Sequence, residues 1–133
     1  MGDPVYFDTS ALAKLVLNEP ESSEMLRFVD QTADQPISSV ISDVEMVRAV
    51  LQKEPSALDT ALEVLAQLVL LPITDSIRLR AAYLAPTSLG TLDALHLATA
   101  LEVQSDLRLI VSYDNRLIEA SREAGLKVVS PGT

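Results

Sequence analysis

Cysteine is absent from the chain, which excludes disulfide frameworks, thiol nucleophiles and cysteine-ligated zinc. That absence fits a reducing compartment. Basic residues are scarce: 10 against 19 acidic ones, a net charge of −9. A module that held nucleic acid by bulk electrostatics would be basic, so this balance counts against a simple DNA-binding protein. It leaves room for an enzyme that meets phosphate through cations. No run of 18 apolar residues is present, and the stretch from Leu65 to Ile73 is interrupted by Gln67 and Pro72, so nothing reads as membrane-spanning. The N-terminus carries Asp3 and no basic stretch before an apolar core, which is not the pattern of a signal peptide. A cytoplasmic location is expected. No internal repeat, low-complexity segment or long linker divides the 133 residues, so residues 1–133 read as one domain. With 48% apolar residues and a radius of gyration of roughly 14 Å, the chain can bury a core.

Strand and helix patterns alternate. Val5-Tyr6-Phe7 is an apolar strand that stops at Asp8, and a helix follows from Ser10, its expected cap, to about Asn18. Glu19-Pro20 breaks it, and Pro20 opens a helix bearing Met25, Leu26 and Val29. Residues 34–36 read as a loop and Ile37 to Val40 as a short strand. Ser42 and Glu45 have the spacing of a capping box at the head of the next helix. Pro55 and Ser56 start another, with Leu58, Leu62, Leu65 and Leu68 on one face. Val69 to Ile73 reads as a buried strand. Thr74-Asp75 caps a helix to about Leu84, and residues 85–90 form a loop. Thr91 to about Val103 is apolar around most of its circumference and so is expected to be buried, with Thr91 as its cap. Leu107 to Tyr113 is a strand that also ends at an acid, Asp114. A helix over 115–124 is stopped by Gly125, and Leu126 to Val129 is the last strand. The order predicts an α/β fold: a three-layer sandwich with a short, mostly parallel central sheet flanked by helices.

Four acids stand out: Asp8, Glu45, Asp93 and Asp114. Each has a structural alternative. Asp8 and Asp114 can cap helices, Glu45 can serve the capping box or pair with Arg48, and Asp93 can sit in a first helical turn where the dipole favours it. Yet Asp8 and Asp114 follow the carboxyl ends of apolar strands, where open α/β sheets hold ligands. Asp93 opens the most apolar helix, and Glu45 lies among Val44, Met46 and Val47. Asp43, about 200° from Glu45 round the helix, is expected to face elsewhere. Converging carboxylates repel by about 4 kcal/mol per pair at 4 Å and an effective dielectric of 20, so such a site must hold protons or a divalent cation. All-oxygen donors select Mg²⁺ or Mn²⁺, whose chemistry is phosphodiester hydrolysis.

The segments Val5-Tyr6-Phe7-Asp8-Thr9-Ser10-Ala11-Leu12, Val44-Glu45-Met46-Val47-Arg48-Ala49, Thr91-Leu92-Asp93-Ala94-Leu95-His96-Leu97-Ala98-Thr99-Ala100 and Val111-Ser112-Tyr113-Asp114-Asn115-Arg116-Leu117 resemble, in order and in register, the PIN-domain family. The resemblance is strongest to the VapC-type toxins of toxin–antitoxin pairs and covers nearly the whole chain. It implies a Mg²⁺- or Mn²⁺-dependent endoribonuclease whose catalytic and metal-binding residues are Asp8, Glu45, Asp93 and Asp114. It implies a homodimer, capable of a higher assembly, and a VapB-like antitoxin that blocks the site. Where the family often has threonine before the tyrosine-aspartate pair, this chain has Ser112, which keeps the hydroxyl. Where many relatives have arginine before Leu-Asp-Ala, it has Leu89-Gly90, so RNA contacts are expected to differ there.

Around the acids, Thr9, Ser10, Arg48, Ser112, Asn115 and Arg116 are candidates for supporting the site or touching RNA. Thr9 and Ser10 equally suit helix caps, and for Arg48 a structural balance with Glu45 is favoured. Lys14 and Arg116 follow the two acid-bearing strand ends and are weighed as phosphate contacts against plain solvated charges. His96, the only histidine, lies one turn beyond Asp93 and suits a hydrogen-bonded core position better than a proton shuttle. Rival folds fit worse. A phosphoacceptor receiver domain needs a paired acid after the first strand and a lysine after a late one, but Asp8 is single and Lys127 opens its strand. A haloacid-dehalogenase-like phosphatase needs an acid where Ser10 stands. A non-enzymatic binding module explains the charge but not the placed acids, and an RNA-processing nuclease with no antitoxin stays open beside the toxin.

Overall fold

The computed structural model describes residues 2–32 and 35–133. Its strands are β1 (Pro4–Phe7), β2 (Gln35–Ser39), β3 (Val69–Leu71), β4 (Leu109–Val111) and β5 (Val128–Val129). They form one sheet in the order β3-β2-β1-β4-β5, with every neighbouring pair parallel. Parallel neighbours need crossovers, and helices supply them. These are α1 (Thr9–Val16), α2 (Ser22–Thr32), α3 (Ile41–Lys53), α4 (Leu58–Ala66), α5 (Asp75–Tyr83), α6 (Thr91–Glu102) and α7 (Asn115–Glu123).

The pleat of β1 and β4 sorts their side chains onto two faces. Val5, Phe7, Leu109 and Val111 join Leu12 of α1, Met25 of α2, Met46 of α3 and Leu65 of α4 in one core. Tyr6 and Ile110 turn the other way, to Ala100 of α6 and Val128. Leu97 of α6 meets Leu117 and Ala120 of α7 on that side. The result is the expected three-layer α/β arrangement, with the sheet wholly parallel. Small residues on α6, Ala98 and Ala100, are fully buried, which lets the helix lie close to the sheet.

Several local expectations are corrected. Asp8, not Ser10, caps α1, because its carboxylate accepts the Ala11 N–H. The helix expected from Pro20 begins at Ser22, after a turn over Glu19 to Glu21. Ser42 and Glu45 form no capping box, since α3 starts at Ile41 and Ser42 is already inside it, buried against Ser38. Residues 55–57 make a 3₁₀ turn before α4, and Leu62 is exposed while Ala61 and Leu65 are buried. Gly90, not Thr91, caps α6, with no side-chain cap bond. Of the loop expected over 34–36, Asp34 lies outside the described residues, and Gln35 and Pro36 belong to β2. Proline is tolerated there because β3 pairs only from Ile37 onward, leaving one side of Pro36 without a ladder partner. β3 ends at Leu71 and is not buried; it is the sheet edge, and Val69 is exposed. Gly125 has φ 90°, the left-handed backbone that ends α7 as the sequence predicts.

Because all five strands point the same way, the carboxyl ends of β1, β2 and β4 share one edge. Asp8 follows β1, α3 follows β2 after one residue, and Asp114 follows β4 after two.

Candidate active site

Asp8 is 2% exposed and almost fully hydrogen-bonded. Its Oδ1 accepts from Ser10 Oγ at 2.7 Å and from the Ala11 N–H at 2.9 Å. Its Oδ2 accepts from Ser112 Oγ at 2.6 Å. Burial nevertheless dominates and pushes its pKa up, against the pull of Ser112, His96 and the cap bonds. The cap reading and the site reading of Asp8 therefore describe the same carboxylate.

Glu45 projects from α3 to Thr9, whose hydroxyl donates to Oε1 at 2.6 Å, and to His96, whose Nε2 lies 2.9 Å from the same oxygen. Burial alone would raise its pKa, but the His96 and Thr9 hydrogen bonds and the histidine's charge outweigh it and leave it lowered. Arg48, expected as the balancing charge, stands exposed on α3; histidine and threonine take that place.

Asp93 lies in the first turn of α6 and is half-buried. Its pKa rises from 3.8 to about 6, first through burial, then through repulsion from Asp114, Asp8 and, more weakly, Glu45. The helix dipole and His96 favour its charge but do not restore the ordinary value. Asp114 spends Oδ1 on capping α7, accepting from the Arg116 and Leu117 N–H groups at 2.9 and 3.2 Å. Its own N–H donates to Ser112 Oγ, so one hydroxyl ties β4's end to Asp8 and to Asp114.

Asn115 and Arg116 are exposed at the head of α7, beside Asp114. Lys14 is neither a solvated charge nor free for a ligand. It pairs with Glu21 at 2.6 Å and Glu19 at 3.4 Å and lies 4.9 Å over the Tyr113 ring. His96 is buried, as expected of a core histidine, with Tyr6 Oη 2.6 Å from Nδ1. Tyr6 was not among the residues singled out from sequence, because a strand aromatic reads as core; only its polar tip could have marked it. Ser38 escaped notice for a similar reason, since a small buried hydroxyl leaves no mark in an apolar pattern, and Ser42 stood out only as a helix cap. Ser38 Oγ donates to the Phe7 carbonyl at 2.6 Å and lies 2.6 Å from Ser42 Oγ.

The donors gathered here are carboxylates and hydroxyls, a hard all-oxygen set of the kind that suits Mg²⁺ or Mn²⁺. Mutual repulsion at Asp93 is the charge a cation would offset. Among the described residues, no group of three or more His, Asp or Glu side chains is drawn together tightly enough to hold an ion. Mg²⁺ asks less than that, since it commonly takes one or two carboxylates and keeps several waters.

Residues 5–123 match the PIN domain family. Ribonuclease VapC47 of Mycobacterium tuberculosis is 36% identical over 132 residues, covering 96% of this chain and 97% of that protein. Among solved structures, VapC20 of Mycobacterium tuberculosis, described as a sarcin-ricin loop cleaving toxin, superposes with a TM-score of 0.76 at 16% identity, over 96% of this chain and 99% of the other. A chain of a toxin–antitoxin complex from Klebsiella pneumoniae superposes with a TM-score of 0.72 at 22% identity, over 96% and 97%. Those two likenesses carry the fold, and the family match with the 36% identity carries the kinship. The chain belongs to the PIN-domain family, among its VapC ribonucleases.

Proposed function

We propose that this chain, over residues 1–133, is a VapC-type toxin: a cytoplasmic, Mg²⁺- or Mn²⁺-dependent endoribonuclease neutralised by a cognate VapB-like antitoxin. The observation that carries the reading is the shared carboxyl edge of the parallel sheet, where Asp8 follows β1, Glu45 stands on the helix after β2 and Asp114 follows β4, with the pKa of half-buried Asp93 pushed up by burial and by repulsion from them. Kinship with VapC47 supports ribonuclease action, and the fold shared with a toxin–antitoxin complex supports the antitoxin. No helix among the described residues is long and apolar enough to cross a membrane.

Asp8 and Asp93 would hold the ion, with Glu45 and Asp114 completing its negative surroundings. When bound, such an ion polarises a phosphoryl oxygen and makes water a better nucleophile. The chain's own groups do the rest. Ser10, Ser112 and the Ala11 N–H fix both oxygens of Asp8, so the carboxylate meets its ligand without reorienting. Thr9 and His96 hold Glu45 in its charged form. Arg116, Asn115 and Arg48 present exposed donors for RNA phosphates. Exposed Leu79, Tyr83 and Leu92 on α5 and α6, and Val44 and Leu51 on α3, offer apolar surface to a second protomer and to the antitoxin.

Purified protein is expected to cleave RNA when Mg²⁺ or Mn²⁺ is supplied and to stop when EDTA removes it. Cleavage that persists in EDTA, or none with either ion after the antitoxin is stripped away, contradicts the reading.

A further inference from the structure

Glu45 and His96 come from opposite layers of the sandwich. Glu45 is on α3, which shares the core of Val5 and Phe7, and His96 is on α6, on the Tyr6 side of the sheet. The histidine is 3% exposed and Tyr6 is fully buried. Their contacts form one line: Tyr6 Oη to Nδ1 at 2.6 Å, then Nε2 to Glu45 Oε1 at 2.9 Å. The rings meet edge to face, with planes at 78°, so the imidazole is fixed by packing as well as by bonds.

The chemistry of the end groups sets the direction of this line. An ionised carboxylate can only accept, so Nε2 carries a proton and donates to Glu45. Nδ1 accepts from the Tyr6 hydroxyl when the ring is neutral and donates to it when the ring is charged, so the line holds in either state. A histidine whose far nitrogen is held in this way presents its near N–H in one orientation, as second partners of metal-site ligands do. Thr9 adds a bond to the same Glu45 oxygen from the head of α1.

We infer that Tyr6 and His96 are positioning residues for the nuclease site: through a buried hydroxyl–imidazole–carboxylate line they aim Glu45 at the carboxyl edge shared with Asp8 and Asp93. The inference rests on the reading above that Glu45 belongs to a divalent-cation site. Neither residue touches the reacting phosphate. Their effect runs through the orientation of Glu45 alone.

Mn²⁺ binding to the full RNA-free chain, followed by electron paramagnetic resonance, tests this beside kcat and KM for RNA cleavage and thermal unfolding. His96→Ala is expected to weaken Mn²⁺ binding and to lower kcat, each about tenfold, with KM for RNA unchanged. His96→Gln, whose amide N–H reaches toward the place of Nε2, is expected to recover most of both. Tyr6→Phe is expected to shift both in the same direction as His96→Ala, by less. Parent-level Mn²⁺ binding and kcat in folded His96→Ala overturn the inference. Should His96→Ala fail to fold, Tyr6→Phe decides: losses in both readouts support it and parent values overturn it. Glu45→Gln separates the two layers of the argument. Parent Mn²⁺ binding and cleavage in that variant overturn the site reading itself, whereas a defective Glu45→Gln beside an unaffected His96→Ala overturns only the positioning roles.

Discussion

Ser112 Oγ lies 2.6 Å from Asp8 Oδ2, joining residues 104 positions apart at the carboxyl ends of two adjacent parallel strands. Both side chains are buried, and the same hydroxyl accepts the Asp114 N–H. Ser112→Ala leaves a buried carboxylate one donor short, a loss of about 1–3 kcal/mol. Chemical denaturation is expected to show that loss, with cleavage reduced in step as Asp8 becomes harder to ionise. A variant as stable and as active as the parent would mean that the bond does neither job.

Asp93 trades stability for chemistry. Its folded pKa of about 6 exceeds the ordinary 3.8, so between those values the folded chain binds more protons than the unfolded one. Without divalent ion, stability is therefore expected to be greatest below about pH 4 on this group's account and to fall as pH rises toward 6. Asp8, also raised, adds to the same trend. Glu45, lowered, works the opposite way, but its window lies below 4.5 and leaves the range from there to about 6 to the aspartates. Thermal unfolding in chelator across pH 4.5–6 checks the slope. Asp93→Asn is expected to flatten it and raise the metal-free Tm, while cutting cleavage by more than the hundredfold that losing a ligand's outer partner can cost.

The two cations that follow the acid-bearing strand ends are expected to behave differently. Lys14 is occupied by Glu21, Glu19 and the Tyr113 ring, whereas Arg116 is exposed and, among the described residues, has no ion pair. Arg116→Ala is expected to raise KM for RNA and to reduce the slope of log affinity against log salt by about 0.7, the value for one phosphate contact on a single strand. Lys14→Met is expected to leave both unchanged. Salt-dependent RNA binding measured on the two variants distinguishes them.

The fold was legible because burial writes itself into pattern. Val5-Tyr6-Phe7 and Leu109-Ile110-Val111 are continuous apolar runs, as strands covered on both faces must be, and the helices between them follow the 3.6-residue period. The four acids drew notice as candidates because two follow such strands and two sit in apolar helical surroundings. Their partners were not legible. Whether Glu45 is balanced by Arg48, on its own helix, or by His96, 51 residues away on another layer, is decided by tertiary packing and not by local spacing. Caps failed because a competing local choice won: Asp8 took the head of α1, leaving Ser10 inside the helix to donate to Asp8 and accept the distant Tyr113 N–H, and α3 began at Ile41, leaving Ser42 inside it beside Ser38.

The central claim is that Asp8 and Asp93 hold a divalent cation at the carboxyl edge of the sheet. Crystals soaked in Mn²⁺ and measured at the manganese absorption edge test it most directly. An anomalous peak between the Asp8 and Asp93 carboxylates is the expected result. A well-ordered structure with no peak there, or with manganese bound only elsewhere, contradicts the account.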